Sequence, residues 1–118
     1  MNPKHHDVTI RSSNLLVDRF ERVVEQHYHD QSFHLKQMAA EMDMSERHLQ
    51  RKLKSLTGRT PSEYIRIFRL SQSLIYLLAG SSIRDTAKAV GFSSQAYFAS
   101  CFKAEYGRTP SEYQHRHM

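Results

Sequence analysis

The sequence predicts an all-α protein in which two helix-turn-helix subdomains are joined by a long linker helix. Three observations carry this. Apolar residues recur at helical spacing through most of the 118 residues, and only three prolines and four glycines interrupt them. A pattern over 35–58 returns over 83–107, and the heptapeptide GRTPSEY stands twice, at 58–64 and 107–113. Between the copies, residues 62–79 are mostly apolar and contain neither proline nor glycine.

The elements follow in order. Residues 1–11 are polar and unpatterned and read as a disordered arm. Ser12 or Ser13 can cap a first helix to about Tyr28, with Leu16, Phe20, Val23 and His27 on one stripe and Leu15 and Val24 widening it. A short second helix runs from about Leu35 to Met42, its inner face formed by Leu35, Met38, Ala39 and Met42. Asp43 and Met44 make a turn, and Ser45 caps a third helix that turns Leu49, Leu53 and Leu56 inward. The same period sends Arg47, Gln50, Arg51 and Lys54 outward. Two short helices around a tight turn, the second one basic, read as a helix-turn-helix.

Thr60, Pro61 and Glu63 form a capping box with proline at the first helical position. The helix they start runs to about Ala79 and is ended by Gly80. Tyr64, Ile67, Phe68, Leu70, Leu74, Ile75, Leu77 and Leu78 cover more than one of its faces, which predicts burial between two units. Ser82 then caps a helix over Ile83–Val90, ended by Gly91. Ser93 or Ser94 caps a sixth helix to about Tyr106, with Phe98 and Phe102 inward. Leu35, Ala39, Met42 and Met44 match Ile83, Ala87, Val90 and Phe92 at an offset of 48, whereas Leu49, Leu53, Lys54 and Gly58 match Phe98, Phe102, Lys103 and Gly107 at 49. The second copy therefore holds one extra residue, in or just after its turn.

Charge separates the copies. The chain carries 17 Lys and Arg against 12 Asp and Glu. Over 45–59, Arg47, Arg51, Lys52, Lys54 and Arg59 stand against Glu46 alone; over 93–108, Lys103 and Arg108 stand against Glu105. A basic helix on the outer side of a helix-turn-helix points to double-stranded DNA. Arginine suits guanine O6 and N7 and glutamine suits adenine, so Arg47, Gln50 and Arg51 are expected to read bases. Ser45, His48, Lys54 and Arg59 are expected on phosphates. The linker helix has the length to hold two recognition helices near the ~34 Å spacing of successive major grooves.

Other classes fit poorly. Cys101 is the single cysteine, so no intramolecular disulfide forms. No apolar run approaches the ~18 residues of a membrane span, and no signal-peptide core opens the chain, which together lead to an expectation of a cytoplasmic protein with no membrane partner. No nucleophile–base pair, phosphate loop or carboxylate pair suggests an enzyme or a cofactor. The eight histidines show no ligand spacing, so no metal site is expected.

The runs LxxMAxxMxMSxxxLxRKLK, TGRTPSEYIRxxRL and IxxxAxxVGFSSxxYFxxCFKxxYGRTPSEY resemble the AraC/XylS-type DNA-binding domain over about residues 15–114. The resemblance implies seven helices and a bacterial transcription regulator, most often an activator working beside RNA polymerase. It places base contacts at Arg47, Gln50 and Arg51 in the first unit and at Gln95, Ala96, Tyr97 and Ser100 in the second. Ser94, Lys103 and Arg108 would then hold the backbone. The run RKLKxLTGxxPSEYIR is also similar to output domains of two-component response regulators, which implies a sensor or receiver domain in a longer chain. The division expected is an arm over 1–11, a first subdomain over 12–59, a linker helix over 60–80, a second subdomain over 81–114 and a tail over 115–118.

Two departures matter. Ser100 stands where the family often has arginine, so the second unit is expected to contact DNA more weakly. His34 stands where a Ser or Thr cap is usual, so the second helix is expected to start less firmly. The rival reading is an adaptor that contacts RNA polymerase or another regulator without DNA readout.

Overall fold

The computed structural model describes residues 3–117, with side chains described from Leu15 to His117. Among the described residues there are seven helices and no strand. The first unit holds α1 (Pro3–His27), α2 (Leu35–Glu41) and α3 (Glu46–Thr57). α4 (Pro61–Leu78) links it to the second, made of α5 (Ile83–Ala89), α6 (Gln95–Tyr106) and α7 (Pro110–Arg116).

The two recognition helices α3 and α6 are fixed at both ends by the same chemistry. The Ser45 hydroxyl accepts from the His48 N–H at 3.1 Å, and that of Ser94 accepts from the Tyr97 N–H at 3.0 Å. Each helix closes on a left-handed glycine, Gly58 or Gly107. Thr60 and Thr109 then cap α4 and α7, with Glu63 and Glu112 reaching back in a capping box. Ser94 rather than Ser93 takes the cap, so the extra residue of the second copy is Ser93, in the turn.

Two cores lie along α4. Phe20, Val24, Met38, Met42, Leu49, Leu53 and Ile65 fill the first; Leu70, Leu77, Val90, Phe92, Phe98 and Phe102 fill the second. Tyr28 packs against both. The Tyr64 hydroxyl donates to Glu21 at 2.9 Å, while its ring stands edge-on to Phe20, which ties α1 to the start of α4. At the other end, the Gln114 amide donates to the carbonyls of Leu77 at 3.0 Å and Ser81 at 2.7 Å, which pins α7 across the end of α4.

One joint between the units was not visible in the sequence. Arg69, only 7% exposed, donates from Nε to the Tyr28 carbonyl at 2.7 Å and from Nη2 to the Asp30 carbonyl at 2.9 Å. Gly91 of the second turn closes over it with φ of 94°, so near that a Cβ there would lie 2.2 Å from the Tyr28 oxygen.

Several expectations are corrected. α1 spans Pro3–His27 rather than starting at Ser12 or Ser13, and residues 1, 2 and 118 lie outside the described residues. Proline suits a first helical position, and no proline or glycine follows before the helix ends. α7 runs to Arg116, because the Thr109 box starts it and Gln114 anchors it. Leu15 of α1 is exposed, and so are Ile75 and Leu78, since the units cover only the faces of α4 that carry Ile65, Leu70 and Leu77. At the start of α2 the His34 side chain makes no cap hydrogen bond, while Gln37 Oε1 accepts from the His34 N–H at 3.1 Å.

Candidate nucleic-acid interface

α3 buries Leu49 and Leu53 completely, and this fixes which side chains face out. At 100° per residue, Arg47 and Arg51 fall on the crest opposite the core, one turn apart, and both are exposed. Ser45, Arg47, His48, Arg51, Lys52 and Ser55 line one open hollow along this crest. Gln50 and Lys54 lie on the other flank, both exposed. Lys54 is close enough to Glu63 to help lower that carboxyl's pKa, though hydrogen bonds from Thr60 do most of it. The structure thus groups most of the predicted first-unit residues. Arg59 stands apart, in a hollow with Tyr64, Ile67, Phe68 and Ser71.

α6 presents the same crest with different chemistry. At the offset of 49, Arg47 becomes Ala96, Gln50 becomes Ala99, Arg51 becomes Ser100 and Lys52 becomes Cys101. Lys103 keeps the place of Lys54 and is exposed, whereas Arg108 is half-buried. Gln95 lines a hollow with Arg84, Lys88, Ser93 and Ser94. Tyr97 is half-exposed, edge-on to Phe92, and faces a hollow between the two units. Ser45 and Ser94 spend a lone pair on their caps, which leaves each O–H free to donate.

That central hollow is lined by Gln31, His34, Ser62, Arg66, Arg69 and Ser93, with Tyr97 at its edge. Burial lowers the Arg69 pKa, and the nearby Asp30 opposes the shift. Sequence reasoning gave no role to Arg66, Arg84 or Lys88. Arg66 had a signal: Ser62, Arg66 and Arg69 recur at four and three residues, a polar stripe along one face of α4. Arg84 and Lys88 are four apart on α5 and exposed, which places two cations beside Gln95.

Among the described residues, no three metal-binding side chains gather. His27 stacks on Phe33, with centroids 4.5 Å apart, and lies 3.8 Å from Glu41. No helix among the described residues is long and apolar enough to cross a membrane.

The helix-turn-helix domain family matches residues 38–116. Over 86 residues the chain is 40% identical to the right origin-binding protein of Escherichia coli (strain K12), covering 72% of this chain and 30% of that protein. Over 121 residues it is 31% identical to histidine kinase P4 of Formosa agariphila, covering 98% of this chain and 9% of that protein. The chain thus spans less than a third of either relative. The DNA-binding domain of AdpA, solved with a target DNA, matches with a TM-score of 0.74 at 29% identity, over 86% of this chain and 90% of that one.

Proposed function

The chain belongs to the AraC-type helix-turn-helix family of DNA-binding transcription regulators, and we propose that it engages DNA with unequal halves. In this reading α3 reads bases in one major groove and α6 makes a weaker contact in the next. The observation that carries it is the crest of α3: two exposed arginines one turn apart on a helix locked at both ends. Arg47, Gln50 and Arg51 face base edges, while Ser45, His48, Lys52 and Lys54 flank them for phosphate. In the second unit Gln95, Ala96, Tyr97 and Ser100 meet the groove with little charge. Ser94, Lys103 and Arg108, with Arg84 and Lys88 on α5, hold the backbone there.

A regulator of this kind acts inside the bacterial cytoplasm, as an activator beside RNA polymerase. Its signal arrives through a sensor or receiver domain outside these 118 residues, a reading supported by the short share of P4 that the chain spans. The family offers no catalytic role, and the reading includes no enzyme activity. One observation favours the rival adaptor: the uncharged crest of α6 would suit a protein surface as well as a groove.

A gel-shift titration across salt separates the two. DNA binding through the assigned cations predicts a log–log slope of about −0.9 per phosphate neutralised. Lys54→Ala should make that slope shallower by about one phosphate and weaken all sequences alike. A shift that salt does not move would favour the adaptor.

A further inference from the structure

The two cores meet along one helix, and a two-headed reader needs its heads held in register. α4 supplies the distance, and Tyr28 packs against both cores. The Arg69 joint adds a polar clamp at the seam between them. Its guanidinium is buried on the linker and bonds two carbonyls just beyond α1, so it holds the first unit. Gly91 lies against the same guanidinium, where a Cβ would be 2.8 Å from Nε. Gly91 is the turn of the second unit, and α6 begins four residues later at Gln95. A displacement of this joint therefore passes directly into the position of the second recognition helix.

The first unit provides a control within the molecule. Asp43 occupies the matching turn position at the offset of 48 and is also left-handed, with φ of 59°. It is exposed, so that turn accepts a side chain. Gly91 differs on two counts: its φ of 94° lies beyond the range that Asp43 occupies, and Tyr28 and Arg69 close over the place where a Cβ would stand.

We infer that Arg69, seated under Gly91, is a positioning residue that sets the spacing at which the two recognition helices meet DNA, and so makes the protein discriminate sites by the distance between their halves. This rests on the reading that both helices contact DNA. Each base pair inserted between half-sites moves the second by about 3.4 Å and turns it by about 35°. A stiff joint cannot follow that change, and the advantage of a linked second contact is lost when geometry forbids it.

The test uses the full chain and duplexes selected by it from random DNA, with derivatives carrying one or two base pairs added or removed between the two footprinted segments. For the unaltered chain, each derivative should bind about tenfold or more weaker than its parent. Arg69→Lys keeps the charge but not the forked donor, and Gly91→Ala wedges the joint while leaving Arg69 intact. Arg69→Lys should flatten the spacing penalty to about threefold or less, and Gly91→Ala should flatten it or move its optimum. Asp43→Ala should leave the penalty unchanged. A residue that merely stabilises the fold would lower affinity equally at every spacing, so the ratio between spacings is the readout. Thermal melts establish that each variant is folded, and Gly91→Ala decides the matter if Arg69→Lys is not. Folded variants that keep the original ratio overturn the inference about Arg69. A one-segment footprint from the unaltered chain instead overturns the two-helix reading, and this inference with it.

Discussion

The two units share their helix ends position by position and differ in core side chains and, most of all, on the surface they present. Ser45 and Ser94, Gly58 and Gly107, Thr60 and Thr109 do the same work at matching positions. The cores exchange volume between partners: Leu49 and Leu53 on α3 become Phe98 and Phe102 on α6, while Met38 and Met42 become Thr86 and Val90 on α5. Larger residues on one helix are matched by smaller ones on its partner, as close packing requires. The crests have no such constraint, and there Arg47 and Arg51 face Ala96 and Ser100. Caps and packing dictate the helix; the solvent face is left to function.

The cores should be the most sensitive part of this comparison. Phe102→Ala should cost about 3–5 kcal/mol and Leu53→Ala about 2–5 kcal/mol. Because α4 belongs to both cores, each should lower the midpoint of one shared transition in denaturant. Two separate transitions would mean that the units are independent.

On DNA the asymmetry should be plain. Arg51→Ala should lose about 1–3 kcal/mol on the selected site and relax preference at one base pair, whereas Ser100→Ala should change affinity by less than about 0.5 kcal/mol. Similar losses from both, measured by gel shift, would end the claim of unequal halves.

Thr86 marks a smaller difference. Among the described residues its buried hydroxyl meets no hydrogen-bond partner, whereas its counterpart Met38 is apolar. Thr86→Val should raise stability by about 1 kcal/mol in urea melts; a fall would mean that the hydroxyl is satisfied in solution.

The capping boxes should behave alike. Hydrogen bonds from Thr60 and Thr109 hold the Glu63 and Glu112 carboxyls below their ordinary pKa of 4.5. A lowered folded pKa means a contribution present above the ordinary value and lost as pH falls through the folded one. Glu63→Gln and Glu112→Gln should flatten the acid limb of the stability curve to the same degree, read by melts between pH 3 and 6. An effect at one site only would break the symmetry of the scaffold.

What the sequence disclosed was mostly local. Ser45, Thr60 and Gly58 announce helix ends because capping involves neighbours three or four residues away. Leu49 and Leu53 announce a buried face through spacing alone. The start at Pro3 was hidden because the segment has no apolar stripe. The choice of Ser94 over Ser93 was hidden because adjacent serines are equivalent until backbone angles are known. Arg69 was hidden most deeply, since its partners are backbone carbonyls 41 and 39 residues away. No residue type marks a carbonyl that will be used. The site was half legible: the crest of α3 follows from period and charge and Arg66 from its polar stripe, but Arg84 and Lys88 gain meaning only from the hollow they line.

Selection from random DNA with the full chain, followed by footprinting, bears most directly on the claim that one half reads and the other holds. Two protected segments about one helical turn apart, ~34 Å, are expected, one with strong base preference and the other with little. Arg51→Ala should weaken preference in the strong segment alone. Equal preference in both segments, or a strong segment that Arg51→Ala leaves unchanged, would contradict it.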